Sequence, residues 1–198
     1  RSYHLVVAIL GILKAGAAYL PIDYNYPQDR IDYIIDDAKC KAIVAFDVDI
    51  SRKNVLKLEN EISLDEENLP YNNVPNDLCA VIYTSGSTGT PKGTLLHHQG
   101  IVNYIYANNA LYEGGNCNLG FAIYTFDAFF LDIIPPMIRG MMSVMATEDE
   151  QYHQKDFENL IKRNPKCNLF ITPAKLKQFI DSSEDKSFIN EINKICIG

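Results

Sequence analysis

The chain has 198 residues, 47% hydrophobic and 22% charged, enough for one packed α/β domain and too apolar for wholesale disorder. Its net charge of −7 comes without Lys/Arg clusters, which argues against nucleic-acid or anionic-membrane partners, and no stretch reaches the ~20 apolar residues of a membrane span. Five cysteines at long gaps with no CxxC spacing argue against a disulfide framework or a zinc site and fit a reducing, cytoplasmic setting.

Residues 3–18 are largely apolar with small residues at Gly11, Ala15 and Gly16, which predicts a helix packed on a sheet. A short strand is expected over 19–22. Pro27 suits the first turn of a helix running to Ala38, with Asp29 near its positive end. Ile31, Ile34, Ile35 and Ala38 recur at steps of three and four and mark its buried stripe. Residues 41–46 read as a strand of the continuous apolar kind found in parallel sheets. Residues 47–77 are polar and specify no element, with Asn72-Asn73, Pro70 and Pro75 marking a loop.

The apolar run Leu78-Cys79-Ala80-Val81-Ile82 predicts a strand over 78–84. It opens into Tyr83-Thr84-Ser85-Gly86-Ser87-Thr88-Gly89-Thr90-Pro91-Lys92-Gly93. Glycine lets backbone N–H groups crowd around an oxyanion. The hydroxyls of Thr84, Ser85, Ser87, Thr88 and Thr90 can donate, and Lys92 adds a full charge. The loop is a candidate cradle for a nucleoside triphosphate. It is not a Walker A loop, because Pro91 and Gly93 stand where that pattern needs Gly and Ser/Thr. Composition alone favours a Gly/Ser/Thr-rich surface turn over that cradle, with a solvated Lys92 as the alternative to a phosphate partner.

Beyond the loop, a strand is expected over 94–97, a helix over 100–111, a strand over 119–124 and a helix over 126–138 kinked at Pro135-Pro136. Strands over 141–146, 168–171 and 194–197 and helices over 155–163 and 173–180 complete the chain. Cys79 and Cys196 read as small core residues. The histidines, at 4, 97, 98 and 153, show no metal-ligand spacing, and no metal site is expected. Alternating strands and helices imply right-handed crossovers and an α/β fold with a mostly parallel sheet flanked by helices.

Three segments carry a resemblance. The string at 83–93 resembles the signature of the adenylate-forming superfamily. Leu13-Lys14-Ala15-Gly16-Ala17-Ala18-Tyr19-Leu20-Pro21-Ile22-Asp23 resembles a second motif of that superfamily, continued by Tyr26-Pro27-Gln28-Asp29-Arg30-Ile31. Phe126-Asp127-Ala128 resembles the start of the amino-acid pocket in adenylation domains of nonribosomal peptide synthetases, and His98 and Asn103 stand at matching positions. Thr94 departs from a common valine. Phe129-Phe130-Leu131-Asp132 departs where many relatives carry Ser and Trp, a change that touches substrate choice rather than reaction type.

The resemblance implies a fold that is part of the large N-terminal domain of an adenylate-forming enzyme. It implies amino-acid activation by ATP to an aminoacyl-adenylate, with release of pyrophosphate. Transfer to the phosphopantetheine thiol of a peptidyl carrier protein in a multimodular synthetase follows. ATP and Mg2+ are the implied cofactors. Thr84, Ser85, Gly86, Ser87, Thr88, Gly89 and Lys92 are the expected phosphate-binding residues. Phe126, Asp127, Ala128 and Leu131 are the expected substrate-binding residues, with Asp127 taking the α-ammonium. Residues 1–198 are expected to be one incomplete domain without the small C-terminal domain, holding no assignable catalytic residue and inactive alone. Asp23 and Arg30 are expected to stabilise local structure. A D-alanine–carrier ligase, another acyl-adenylate or acyl-CoA ligase, and a non-catalytic nucleotide-binding remnant remain open.

Overall fold

The computed structural model describes residues 2–46, 50, 52, 54–58, 70, 73–86 and 89–197. The chain divides into two units, one over Ser2–Ile101 and one over Val102–Gly198.

In the N-terminal unit, helix α1 (Tyr3–Lys14) stops four residues short of the expected end. Gly16 takes φ +77, and the N–H groups of Gly16 and Ala17 turn back to the carbonyls of Leu13 and Ile12. A glycine in the left-handed region ends a helix in this way. The strand expected over 19–22 reduces to one parallel bridge between Tyr19 and Ala80. Tyr19 donates to the Cys79 carbonyl and accepts from Val81 N–H. Pro21 is the next residue that should donate, and it has no N–H, so the ladder cannot continue.

Helix α2 (Gln28–Asp37) follows Pro27, which sits at the capping position just outside it. Ile34 and Ile35 are buried as the period required. Asp23 caps a local turn through Asn25 N–H, and Arg30 lies 4.2 Å over the Tyr26 ring, so both act locally. Strand β1 (Ile43–Ala45) pairs in parallel with β2 (Val55–Lys57), an element that the polar sequence of 47–77 did not reveal. Strand β3 (Leu78–Thr84) has the expected bounds and pairs antiparallel with β4 (Lys92–His97). The Gly/Ser/Thr-rich loop therefore closes a hairpin. Helix α3 (His98–Ala107) starts at once; His97 meets the Asn76 carbonyl and His98 opens the helix.

In the C-terminal unit, β5 (Cys117–Gly120), β6 (Met142–Met145), β7 (Cys167–Ile171) and β8 (Ile192–Ile197) form a parallel sheet in the order β6-β5-β7-β8. Helices α4 (Ala128–Ile138), α5 (Glu148–Tyr152), α6 (Gln154–Arg163) and α7 (Pro173–Ser182) form the connections, with short 3-10 turns at Asn109–Tyr112 and Lys186–Glu191. The core gathers Leu119, Phe121, Phe157, Leu160, Ile161, Leu169, Phe179 and Phe188. Phe157 stacks on Phe179 at 3.7 Å and meets Phe188 edge-on. Helix α5 carries a capping box between Thr147 and Glu150, and Glu150 pairs with Arg163. The strand expected over 119–124 ends early, because the Asp132 carboxylate takes the Ala122 N–H at 2.9 Å and draws the chain off the sheet. No helix among the described residues is long and apolar enough to cross a membrane.

Cys79 is buried as expected, whereas Cys196 is half-buried on β8, where exposure alternates along the strand. Burial pushes the Cys79 thiol up to about 11 and the Cys167 thiol up to about 12. A raised pKa withholds the thiolate, so an alkylating reagent at about pH 8 should modify half-buried Cys40 and Cys196 first, and all five cysteines only after denaturation. Rapid labelling of Cys79 in the native protein would contradict this packing.

Candidate functional site

The loop between β3 and β4 is built by its glycines and anchored by α2. Gly89 takes φ +83 and donates to the Gly86 carbonyl at 2.9 Å. A Cβ on Gly86 would stand 2.4 Å from the Thr90 carbonyl oxygen, so no other residue fits there without moving the loop. Thr84 pairs with Lys92 at the mouth of the hairpin, and the Lys92 stem passes 3.4 Å from that same point over Gly86. Thr84, Ser85, Gly89 and Lys92 are exposed. Among the described residues Lys92 has no ion-pair partner. Ser87 and Thr88 lie outside the described residues.

Two tyrosines fix the loop's position. Tyr33 on α2 donates its hydroxyl to the Pro91 carbonyl at 3.3 Å, and Tyr83 on β3 donates to Asp37 at 2.6 Å. Burial, and then the bond to Asp37, push the Tyr83 phenol well above its usual value, so it stays a donor. Sequence reading missed both tyrosines. Their partners lie 58 and 46 residues away, beyond any local pattern.

In the C-terminal unit, Asp127 is the capping residue of α4. Its Oδ1 accepts the Ala128 N–H at 2.8 Å, while the carboxylate remains exposed. No cation pairs with it among the described residues. Ala128 is exposed, Phe126 is 54% exposed and Leu131 is half-buried, whereas Phe129 is buried. The residues expected to bind substrate thus cluster at the start of one helix, with an acceptor at its end and apolar surface beside it. Tyr104 on α3 has its phenol raised by burial and by the nearby Cys196 and Asp127, so these three groups share one neighbourhood. Nothing in the spacing of Tyr104 or Cys196 signalled this.

The hairpin loop can offer N–H groups, hydroxyls and one cation to a phosphate chain. The α4 end can offer an uncompensated carboxylate to a cation. Among the described residues no cluster of three or more His, Cys, Asp or Glu could hold a metal.

The parallel α/β sheet and the Gly/Ser/Thr hairpin give the chain the fold of part of the large N-terminal domain of adenylate-forming enzymes. The chain matches the AMP-binding enzyme family over residues 1–193, and it belongs to that family. It is 33% identical over 199 residues to gramicidin S synthase 2 of Brevibacillus brevis, covering 96% of this chain and 4% of that protein. It is 32% identical over 210 residues to tyrocidine synthase 3 of Brevibacillus parabrevis, covering 100% of this chain and 3% of that protein. The chain thus spans only a few per cent of the length of these relatives. Among solved structures it aligns with a four-domain nonribosomal peptide synthetase bound to AMP and glycine, at TM-score 0.74 and 25% identity, over 98% of this chain and 16% of that one. It also aligns with the N-terminal subdomain of Klebsiella oxytoca NpsA at TM-score 0.81 and 22% identity, over all of this chain and 52% of that one; that likeness bears on fold alone. The resemblance to adenylation domains of nonribosomal peptide synthetases, read first from three short motifs, holds along the chain.

Proposed function

We propose that this chain forms part of an adenylation domain that activates an amino acid and hands it to a carrier protein. The observation that carries the reading is the exposed Asp127 carboxylate at the first turn of α4, which meets no cation among the described residues. It sits in a chain whose relatives are synthetases of peptides. In the first step a carboxylate oxygen of the amino acid attacks the α-phosphorus of ATP. The P–O bond to pyrophosphate breaks, and pyrophosphate leaves with the electron pair. In the second, the phosphopantetheine sulfur attacks the acyl carbon, AMP leaves, and the thiol proton passes to solvent.

This chain's residues would supply charge control. Thr84, Ser85, Ser87 and Thr88 donate hydroxyls, Gly86 and Gly89 donate backbone N–H groups, and Lys92 donates its ammonium to the β- and γ-phosphates. Such groups offset the repulsion between four phosphate charges and an incoming carboxylate. Magnesium would accompany the nucleotide. Asp127 would hold the α-ammonium, with Phe126, Ala128 and Leu131 around the substrate. In this reading residues 1–198 are one part of the domain, and the remaining groups of the reaction come from outside them.

Pyrophosphate exchange into ATP, measured on the whole enzyme with a panel of amino, aryl and fatty acids, tests the proposal. Exchange confined to amino acids is expected. Exchange with aryl or fatty acids instead, or with none of the panel, would overturn it. Exchange with D-alanine alone would favour a D-alanine–carrier ligase, which also uses an aspartate at this position.

A further inference from the structure

Helix α4 contains Pro135 and Pro136, both buried. A proline has no N–H to give the carbonyl four residues earlier. The carbonyls of half-buried Leu131 and buried Asp132 therefore lose their helical donors, and a carbonyl left unpaired away from water is costly. Both are supplied from elsewhere. The Tyr112 hydroxyl donates to the Leu131 carbonyl at 3.1 Å. Asn118 Nδ2 and Ser143 Oγ both donate to the Asp132 carbonyl, at 3.1 and 2.6 Å. Asn118 and Ser143 are register partners on β5 and β6, so the two donors stand side by side beneath the helix.

We infer that Tyr112, Asn118 and Ser143 form a clamp that replaces the two proline-deleted hydrogen bonds of α4 and fixes that helix's position and rotation on the sheet, making them positioning residues for Asp127, Ala128 and Leu131. The role assigned to those three rests on the proposed function; the clamp itself does not.

Other contacts belong to the same device. Arg139, just past the end of α4, donates Nη1 to the Pro135 carbonyl at 2.9 Å and Nε to Asn109 at 2.9 Å, and it lies 5.0 Å over the Tyr112 ring. The ring of Tyr112 stacks on Phe170 of β7 at 5.2 Å, so the hydroxyl has little freedom. At the other end of the segment the Asp132 side chain holds Ala122 N–H. A Cβ on Gly120 would stand 2.8 Å from the Asp132 Cβ and Oδ2, so helix and strand approach as closely as a glycine allows. Helix α4 is pinned at two successive backbone carbonyls, those of Leu131 and Asp132. Asp127 lies at the end of the same rigid element.

The test is a rescue, because the prolines and the side-chain donors serve the same carbonyls. Tyr112→Phe keeps the ring and removes the donor; Pro135→Ala returns an N–H to the Leu131 carbonyl. Ser143→Ala and Pro136→Ala form the matching pair at Asp132, and carry the test if Tyr112→Phe does not fold. In the whole protein, amide hydrogen exchange of residues 128–138 should rise about tenfold in Tyr112→Phe and by about threefold in Ser143→Ala, where Asn118 still donates to the Asp132 carbonyl, and should return toward wild type in each double variant. The KM for the amino acid should rise about tenfold with the KM for ATP within about twofold, and should likewise be rescued. Absence of rescue in hydrogen exchange overturns the clamp. Rescue in hydrogen exchange with an unchanged amino-acid KM overturns the positioning role. A wild type that exchanges pyrophosphate with none of the amino acids sinks the functional reading and the positioning role with it, while hydrogen exchange still decides the clamp.

Discussion

Asp127→Ala in the whole enzyme should lose amino-acid-dependent pyrophosphate exchange by about thirtyfold to several thousandfold, the equivalent of ~2–5 kcal/mol for removing one partner of a desolvated charge pair. ATP binding should persist, because the residues proposed to bind phosphate lie on the β3–β4 hairpin and not on α4. The carboxylate also caps α4 through the Ala128 N–H, and losing a cap alone costs ~0.5–2 kcal/mol of stability. Asp127→Asn separates the two roles. The amide oxygen can still accept from Ala128, but the charge is gone. If the charge binds an ammonium, Asn should behave like Ala in exchange and like wild type in stability. An Asn variant with unchanged amino-acid KM would reduce Asp127 to a helix cap.

Lys92→Ala should weaken exchange about ten- to hundredfold, mainly through the KM for ATP, as expected for one charge-assisted bond to phosphate. Folding should change by no more than ~0.5 kcal/mol, because the ammonium is exposed and meets no carboxylate among the described residues. Lys92→Arg should restore part of the loss, and added salt should shrink the difference between wild type and Lys92→Ala. Equal exchange in wild type and Lys92→Ala would return this residue to the status of a solvated surface lysine.

The elements that could be read in advance are those whose cause is local. Strand β3 was legible to the residue because five apolar side chains run into a cluster of glycines and hydroxyls. Helix α6, expected over 155–163, runs Gln154–Arg163 with Phe157, Leu160 and Ile161 all buried. Helix α7 was announced by Pro173 at its start. Errors arose where a single residue edits a longer pattern. Gly16 stops α1 and Pro21 stops the ladder at Tyr19. Helix α5 is five residues long, too short to show a period, although the Thr147-x-x-Glu150 spacing of a capping box was there to be seen. Strand β2, three residues within a polar stretch, gave no signal.

The candidate site divides in the same way. Which chemical groups the loop and the α4 turn offer is written in order along the chain: glycines that free N–H groups, hydroxyls, one lysine, one aspartate before an apolar helix. The amino-acid sequence by itself determined that inventory and the α/β alternation that carries it. How those groups are held was decided only in three dimensions. The tyrosines that brace the loop reach across 46 and 58 residues, and the donors that repair α4 come from a 3-10 turn and two strands. The bonds that repair α4 depend on where a backbone carbonyl is left without its helical donor. That vacancy exists only once the helix has formed and packed.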